Sequence, residues 1–383
     1  MSDETKLFTL PKWRLSRWLI DPGHDVPADI RQALIGSLFG TLPIFIGGVA
    51  NTVLVAAFIA VRQPHPMFVS WFGFEAVLGL VRTYVITTAY RAAARRRETP
   101  TDLYIVLALC WAFGVGYGTF ISLLSGDWVA AALACLSAAA MMGGICFRNF
   151  AAPRLATAMI VLSFGPACLG ALLSGEPLML LTALQIPFYL YSMGKAVYRL
   201  NAMLVSTMQA ERTNAYRAHH DMLTGLANRS GLAAALERKW KAVRPERPQL
   251  ALLYLDLDGF KSVNDTYGHT AGDRLLTMVG NRLTDLLRSG DLAARIGGDE
   301  FVVLADEVDA AKALGIGDRL IAEVSAPYDL GEGILVRVGI SVGIALSPVH
   351  GDEFTSLLNT ADRALYAAKL EGGGCCRIAS SQA

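Results

Sequence analysis

Long stretches without a formal charge constrain this chain more than any other feature. No Asp, Glu, Lys or Arg occurs between Arg31 and Arg62, between Asp102 and Asp127, between Asp127 and Arg148, or between Arg154 and Glu176. The hydrocarbon core of a bilayer takes about 20 apolar helical residues, so each run is long enough to cross it. A further apolar run covers Met67–Tyr90, interrupted by Glu75 and Arg82, and a shorter one runs from Glu176 to about Val197. The expectation is a six-span, all-α transmembrane bundle over 31–197. Of the 383 residues, 53% are hydrophobic and only 17% charged. Residues 1–200 carry 15 Lys and Arg against 10 Asp and Glu, and residues 201–383 carry 19 against 23. A basic membrane half thus precedes an acidic soluble half, which implies a multi-domain protein. The soluble half has no basic patch, which argues against nucleic-acid binding.

Loop charges orient the bundle. Basic residues collect at the N-terminus, at RAAARRR (Arg91–Arg97), at Arg148 and Arg154, and at Lys195 and Arg199. The alternate loops, around 62–66, 125–127 and 174–177, are poor in them. Positive loops face the cytoplasm, so both termini are expected there. Residues 1–30 interleave Lys6, Lys12, Arg14 and Arg17 with Phe8, Leu10, Trp13, Leu15, Trp18 and Leu19. That pattern suggests an amphipathic cytoplasmic segment lying on the lipid bilayer.

Glu75 and Arg82 stand seven residues apart on one helix face. They are read first as a structural pair with Arg82 snorkelling outward, and second as a signal or ligand site between helices. Trp71, Trp111, Trp128 and Tyr90 read as anchors or packing. Four of the six cysteines lie in apolar runs, and Cys375–Cys376 reads as incidental. Residues 198–220 are polar, helix-prone and free of Pro and Gly. Leu200, Leu204, Met208 and Ala215 form a weak heptad-like stripe there, which fits a solvated linker helix or a two-helix stalk equally well.

The soluble half is organised by ARIGGDEFVVLA, Ala294 to Ala305. It reads as two short strands with Gly297 and Gly298 in a two-residue turn requiring positive φ. Asp299 and Glu300 would then open the second strand on opposite faces. QLALLYLDLDGFKSVNDTYGH, Gln249 to His269, begins as a buried central strand and ends in Asp256, Leu257, Asp258. A carboxylate there needs compensation. Asp256 and Asp299 together suit Mg²⁺, which favours one or two carboxylates plus substrate phosphates, and Lys261 can meet a phosphate. The helices expected are Ser230–Val243, Ala271–Leu287, Val308–Val324 and Glu353–Glu371. A short helix follows the first strand, late strands fall within Ile334–Ala345, and Ser230 and Asp352 are the candidate N-caps.

These motifs resemble a GGDEF domain, the catalytic domain of diguanylate cyclases, over about 211–378. DMLTGLANR (Asp221–Arg229), LDLDGFKSVNDTYGHTAGDRLL (Leu255–Leu276), GGDEF (Gly297–Phe301), VGISVGIA (Val338–Ala345) and ADRALYAAK (Ala361–Lys369) follow in the family's order. The resemblance implies an α+β, palm-like, nucleotide-cyclase-type domain over 221–383, after a linker at 198–220. It implies condensation of two GTP into cyclic di-GMP across a homodimer of GGDEF domains and linker helices. It assigns Asp256, Asp299 and the Leu257 carbonyl to metal, with two Mg²⁺, or Mn²⁺ in their place, per active site. Glu300 would lie near the attacking hydroxyl, with Asp299 and Glu300 as the catalytic acids. Asn264 and Asp273 would read guanine, Gly297 and Gly298 would let the backbone approach the nucleotide, and Lys261 and Lys369 would reach phosphates. Arg288 and Asp291 resemble the inhibitory product site. Asp221, Asn228 and Arg229 resemble residues that orient the domain on its stalk. The implied location is the bacterial inner membrane.

One departure stands out. After the last-helix lysine the family pattern places a basic residue where this chain has Gly373; Arg377 is the substitute the sequence offers. The loss of that cation supports an alternative, a catalytically silent domain that senses GTP or cyclic di-GMP. A transporter with a regulatory nucleotide domain is a third reading, disfavoured by the scarcity of buried charge.

Overall fold

The computed structural model describes residues 7–23, 26–40, 42–241, 249–331 and 333–380. Lys6, from the basic N-terminal set, and Val243, the expected end of a helix, lie outside them. The chain divides into two compact units, Met1–Ala210 and Glu211–Ala383.

The first unit is all-α. Its helices are α1 (Arg14–Ile20), α2 (Ala28–Phe39), α3 (Leu42–Arg62), α4 (Pro66–Ala94), α5 (Thr101–Leu124), α6 (Trp128–Asn149), α7 (Pro153–Leu173) and most of α8 (Met179–His219). Five of them, α3 to α7, are long and apolar enough to cross a membrane by length and composition. The first charge-free run holds two helices rather than one. Gly40 closes α2, and Pro43 sits in the first turn of α3, where its missing N–H costs nothing. Phe39, fully buried at the end of α2, stacks on Phe8 at 4.3 Å and lies 4.5 Å from Tyr104. The sixth expected span corresponds to the first part of α8, which is not among the five. Gln185, Pro187, Tyr189 and Tyr191 interrupt its apolar sequence.

Small residues let these helices approach closely. A Cβ on Gly116 of α5 would collide with the Leu162 carbonyl of α7, and one on Gly118 with the Trp71 ring. Trp71 donates to the Gly114 carbonyl at 2.9 Å and Trp111 to Thr52 Oγ1 at 3.3 Å, so both are packing residues, whereas Trp128 is exposed. Asp127 caps α6 by accepting from Val129 and Ala130, and pairs with Arg62 at 2.6 Å. The N-terminal segment buries Phe8, Leu19 and Ile20 while exposing Leu10, Trp13, Leu15 and Trp18. Of the linker stripe, Leu204 and Met208 pack on the core of this unit, so only part of it is available to another helix.

The second unit is α+β. A five-stranded sheet has the order β2-β3-β1-β6-β7, with β1 (Leu250–Asp258) central, β2 (Leu292–Gly297), β3 (Glu300–Asp306), β6 (Gly339–Ser347) and β7 (Cys376–Ile378). Among the described strand pairs, β6–β7 alone is parallel. A separate ribbon pairs β4 (Tyr328–Asp329) with β5 (Leu335–Val336). Strand β1 is apolar on both faces because both are covered. Ala251, Leu253, Leu255 and Leu257 join one core with α10 (Phe260–Tyr267), α11 (His269–Leu286) and α12 (Ala310–Val324). Leu250, Leu252 and Tyr254 join another with α9 (Arg229–Lys241) and α13 (Phe354–Leu370).

Two expected caps are corrected. Asn228, not Ser230, caps the start of α9, accepting from Gly231 N at 2.9 Å, since the helix begins one residue earlier. Glu353 rather than Asp352 stands at the cap position of α13.

Candidate active site

The C-terminal end of β1 collects the chemistry. Apolar residues pin β1 in mid-sheet, and its last carboxylates emerge at the rim. Asp256 lies directly across from Glu300 of β3, so their side chains share the face that carries Tyr254. The turn before β3 is shifted by one residue from expectation. Its loop residues are Gly298 and Asp299, because Gly297 pairs with Glu300 across a bulge in β2. Gly298 alone has positive φ, +51°, as a two-residue turn with glycine first requires. Asp299 is therefore a turn residue, not the first residue of a strand. Leu257 N donates to its carbonyl at 3.3 Å, which fixes the turn beside β1.

A cleft of about 420 Å³ opens at this rim. Asp256, Leu257, Asp299, Lys261 and Lys369 line it together, with Asp258, Gly372 and Gly373 beside them. Glu300, Asn264, Asp273, Gly297 and Gly298 are not part of that lining. Asn264 on α10 and Asp273 on α11 are placed by close packing of the two helices. A Cβ at Gly272 would strike the Asn264 side chain, so glycine is required next to Asp273.

Carboxylates crowd this rim. Burial pushes the Asp256 carboxyl above its ordinary range, and the Asp299 and Asp258 charges add to this. Lys369, its Nζ 2.6 Å from Asp256 Oδ1, only partly offsets the shift. Glu300 is raised by burial and then by Asp256. Burial and the Glu300 charge together push Tyr254 up to about 12. Carboxylates held in this way favour a cation. Among the described residues, no three His, Cys, Asp or Glu side chains converge to hold a metal. The available donors are instead two carboxylates, Asp256 and Asp299, with the Leu257 carbonyl on the same cleft. Such a hard-oxygen set leaves positions for phosphates and fits Mg²⁺ or Mn²⁺.

Gly373 lines the cleft at φ +74°, between Gly372 at +110° and Gly374 at +65°. A Cβ at Gly373 would lie 3.3 Å from both Asp258 Oδ2 and Ser341 Oγ. Asp258 is itself held in place, accepting from Ser341 Oγ at 2.8 Å and Gly374 N at 3.3 Å. The backbone here is thus shaped for glycine. Arg377 does not substitute for the missing cation. It is drawn to Glu371 and lines a separate pocket with Arg363. Cys376 is buried in β7, with its thiol pushed up to about 11 by burial and Asp318.

Sequence reasoning missed Arg295. From β2 it donates to Gly298 O through Nε at 3.0 Å and Nη2 at 2.8 Å, and its Nη1 reaches both Asp221 oxygens at 3.1 and 3.2 Å. Asp221 also accepts from Thr224 N and Oγ1, and its carboxyl is lowered because these bonds and Arg295 outweigh burial. The opening motif is thereby tied to the acidic turn. The available signal was a lone cation amid the small apolar residues of a strand. Asn228 donates to the Arg217 and His220 carbonyls at 3.0 and 3.3 Å, joining the end of α8 to α9; Arg229 opens α9. Arg288 and Asp291 do meet, at 3.4 Å. Asp291 is nearly buried and accepts from Asp306 N at 3.1 Å, while exposed Arg288 donates to the Asp306 carbonyl.

The family model described as "Diguanylate cyclase, GGDEF domain" matches residues 218–375. Diguanylate cyclase TpbB of Pseudomonas aeruginosa is 45% identical over 166 residues, 43% of this chain and 38% of that protein. The bifunctional diguanylate cyclase/cyclic di-GMP phosphodiesterase MucR of the same organism is 41% identical over 185 residues, 48% of this chain and 27% of its own length. This chain therefore spans well under half of these curated relatives. A solved structure of TpbB comprising only the GGDEF domain is 44% identical, covers 42% of this chain and 95% of that one, and has a TM-score of 0.41.

Proposed function

This chain carries a GGDEF domain, and from that premise we propose that it is a membrane-embedded diguanylate cyclase. It would condense two GTP into cyclic di-GMP and two diphosphates. The observation that carries this reading is the single cleft lined by Asp256, Leu257, Asp299, Lys261 and Lys369. Asp256, Asp299 and the Leu257 carbonyl would hold divalent metal, which would neutralise charge developing on the reacting phosphate. Lys261 and Lys369 bind phosphate oxygens, so Lys369 exchanges Asp256 for substrate. Asn264 and Asp273 orient guanine through its donor and acceptor edge. Glu300, raised in pKa, would take the proton of a 3′-hydroxyl as it attacks the α-phosphate of the GTP facing it. Because each domain supplies one GTP, the active species is a homodimer of GGDEF domains and linker helices.

Around this core, the first part of α8 serves as the sixth span, with both termini cytoplasmic in the bacterial inner membrane. Cyclic di-GMP binds back at Arg288 and Asp291, where the guanidinium can pair with guanine or phosphate. Asp221, Asn228 and Arg229 transmit linker orientation to the domain. The silent-sensor reading draws on one observation, a glycine at position 373 of the cleft, where the family pattern has a basic residue. Incubating the purified full-length protein with GTP and Mg²⁺ and identifying the product by mass separates the two. Cyclic di-GMP establishes the enzyme. GTP binding without product, at concentrations that dimerise the protein, establishes the sensor.

A further inference from the structure

Three basic residues fall in the last turn of α9, Arg238, Lys239 and Lys241, and Lys239 is held differently from Lys241. Lys241 pairs with Glu237 in the open, with 77% of its side chain exposed, whereas the Lys239 side chain is only 20% exposed. Lys239 Nζ donates to the Gly290 carbonyl at 2.8 Å and to Asp306 Oδ2 at 2.8 Å. Fixing a long, flexible cation at two points costs side-chain entropy, so these two bonds mark a defined position rather than a solvated face.

Both acceptors belong to the site assigned above to returning product. Gly290 lies inside the turn from Arg288 to Asp291, at φ +106°, and Asp291 N closes that turn on the Arg288 carbonyl at 3.1 Å. Asp306 ends β3. Its N–H donates to Asp291 Oδ1 at 3.1 Å, and its carbonyl accepts from Arg288. Arg288 and Asp291 are thus both anchored on the backbone of Asp306, and Lys239 ties the side chain of that residue to the middle of the turn. Asp306 Oδ1 is buried without a hydrogen-bond partner, and Lys239 supplies the ion pair of this carboxylate among the described residues. Without Lys239, a partly buried negative charge would stand uncompensated beside Arg288, where an anionic product must bind. The carbonyl of a conformationally free glycine would lose its anchor as well.

We propose that Lys239 is a positioning residue of the product site. It holds the Arg288–Asp291 turn in its binding shape and neutralises Asp306, so that the two phosphodiester charges of cyclic di-GMP meet Arg288 and not an acid. It acts through these groups and does not touch the product. The proposal rests on the reading of Arg288 and Asp291 as the product site, and it adds α9 to that site.

The test measures binding of cyclic di-GMP to the full-length protein by calorimetry, beside binding of a non-hydrolysable GTP analogue with Mg²⁺. Direct binding reads the site whether or not the protein turns GTP over. Lys239→Met should weaken cyclic di-GMP about tenfold, the scale of one lost charge-assisted bond, and leave the affinity for the analogue unchanged. Lys239→Arg keeps the charge and several donors, and should recover most of the affinity of the parent. Should Lys239→Met fail to fold, Lys239→Gln keeps a donor without the charge and should bind cyclic di-GMP severalfold more weakly. Arg288→Ala separates the two levels of the reading. If it loses cyclic di-GMP while the Lys239 variants bind it like the parent, the product site stands and the role of Lys239 is overturned. If Arg288→Ala also binds like the parent, the product-site reading itself fails and the proposal falls with it. Equal loss of both ligands in Lys239→Met overturns the proposal too, because it reports loosening of the whole unit.

Discussion

Restoring the missing cation, by Gly373→Arg, should separate stability from substrate affinity. At φ +74° an L-residue is in the left-handed region, which costs about 1–2 kcal/mol. The new Cβ would also press on Asp258 Oδ2 and Ser341 Oγ at 3.3 Å. This strain is present with and without substrate, so it lowers stability and largely cancels from binding. For a unit of this size, a loss of about 1 kcal/mol moves the midpoint by roughly 2–4 °C. The second unit should therefore melt about 2–8 °C lower. Binding gains a charge-assisted hydrogen bond to phosphate, about 1.5–3 kcal/mol, or roughly ten- to a hundredfold. The assay is steady-state turnover of the full-length protein across GTP concentrations with Mg²⁺, beside a thermal melt. A lower midpoint with a KM for GTP at least tenfold lower is the expected pair. An unchanged KM in a folded variant would refute the reasoning, because phosphate would then not approach residue 373.

Asp299→Ala should abolish cyclic di-GMP formation while the protein still folds, since the turn is held by backbone contacts; unchanged turnover would sink the metal assignment. Arg288→Ala should relieve product inhibition and cost under about 1 kcal/mol, as its contacts are exposed; inhibition as strong as before would return this arginine to a purely structural role. Arg295→Met removes the link between Asp221 and Gly298 O, and should lower stability by about 3 kcal/mol at the charged-bond scale together with turnover; a melt and rate like those of the parent would show the link to be idle. The raised Asp256 and Glu300 carboxyls set a pH dependence. Turnover needs them ionised, so it should fall as pH drops through values above the ordinary carboxylate range. Stability without metal should move the other way. The folded state holds these protons more tightly than the unfolded chain, so stability rises as pH falls through the raised values; a metal-free melt that fell over that range would contradict the sign.

The sequence alone determined the division into a membrane-type half and an α+β half. Charge-free runs and motif order are local properties that survive without coordinates. It also nominated Asp256, Asp299 and Lys261, because carboxylates at the end of an apolar strand advertise their cost, whereas Leu257 and Lys369 were implied only by the resemblance to GGDEF domains. Tertiary structure decided what spacing could not. A bulge in β2 moved the turn by one residue, placing Asp299 in the loop and leaving only Gly298 at positive φ. Packing under Asp258 made residue 373 a glycine position and left Arg377 with Glu371. Arg295 became a tie between motifs 74 positions apart in the chain, a pairing no periodicity encodes. In the helical unit, the seven-residue spacing of Glu75 and Arg82 suggested a pair. The two charges do act on one another, but three-dimensional packing keeps Arg82 from snorkelling outward and lays it over Phe45 and Trp111, beside Arg148 from another helix, because side-chain direction and neighbouring rings, not sequence separation alone, decide where a buried charge goes.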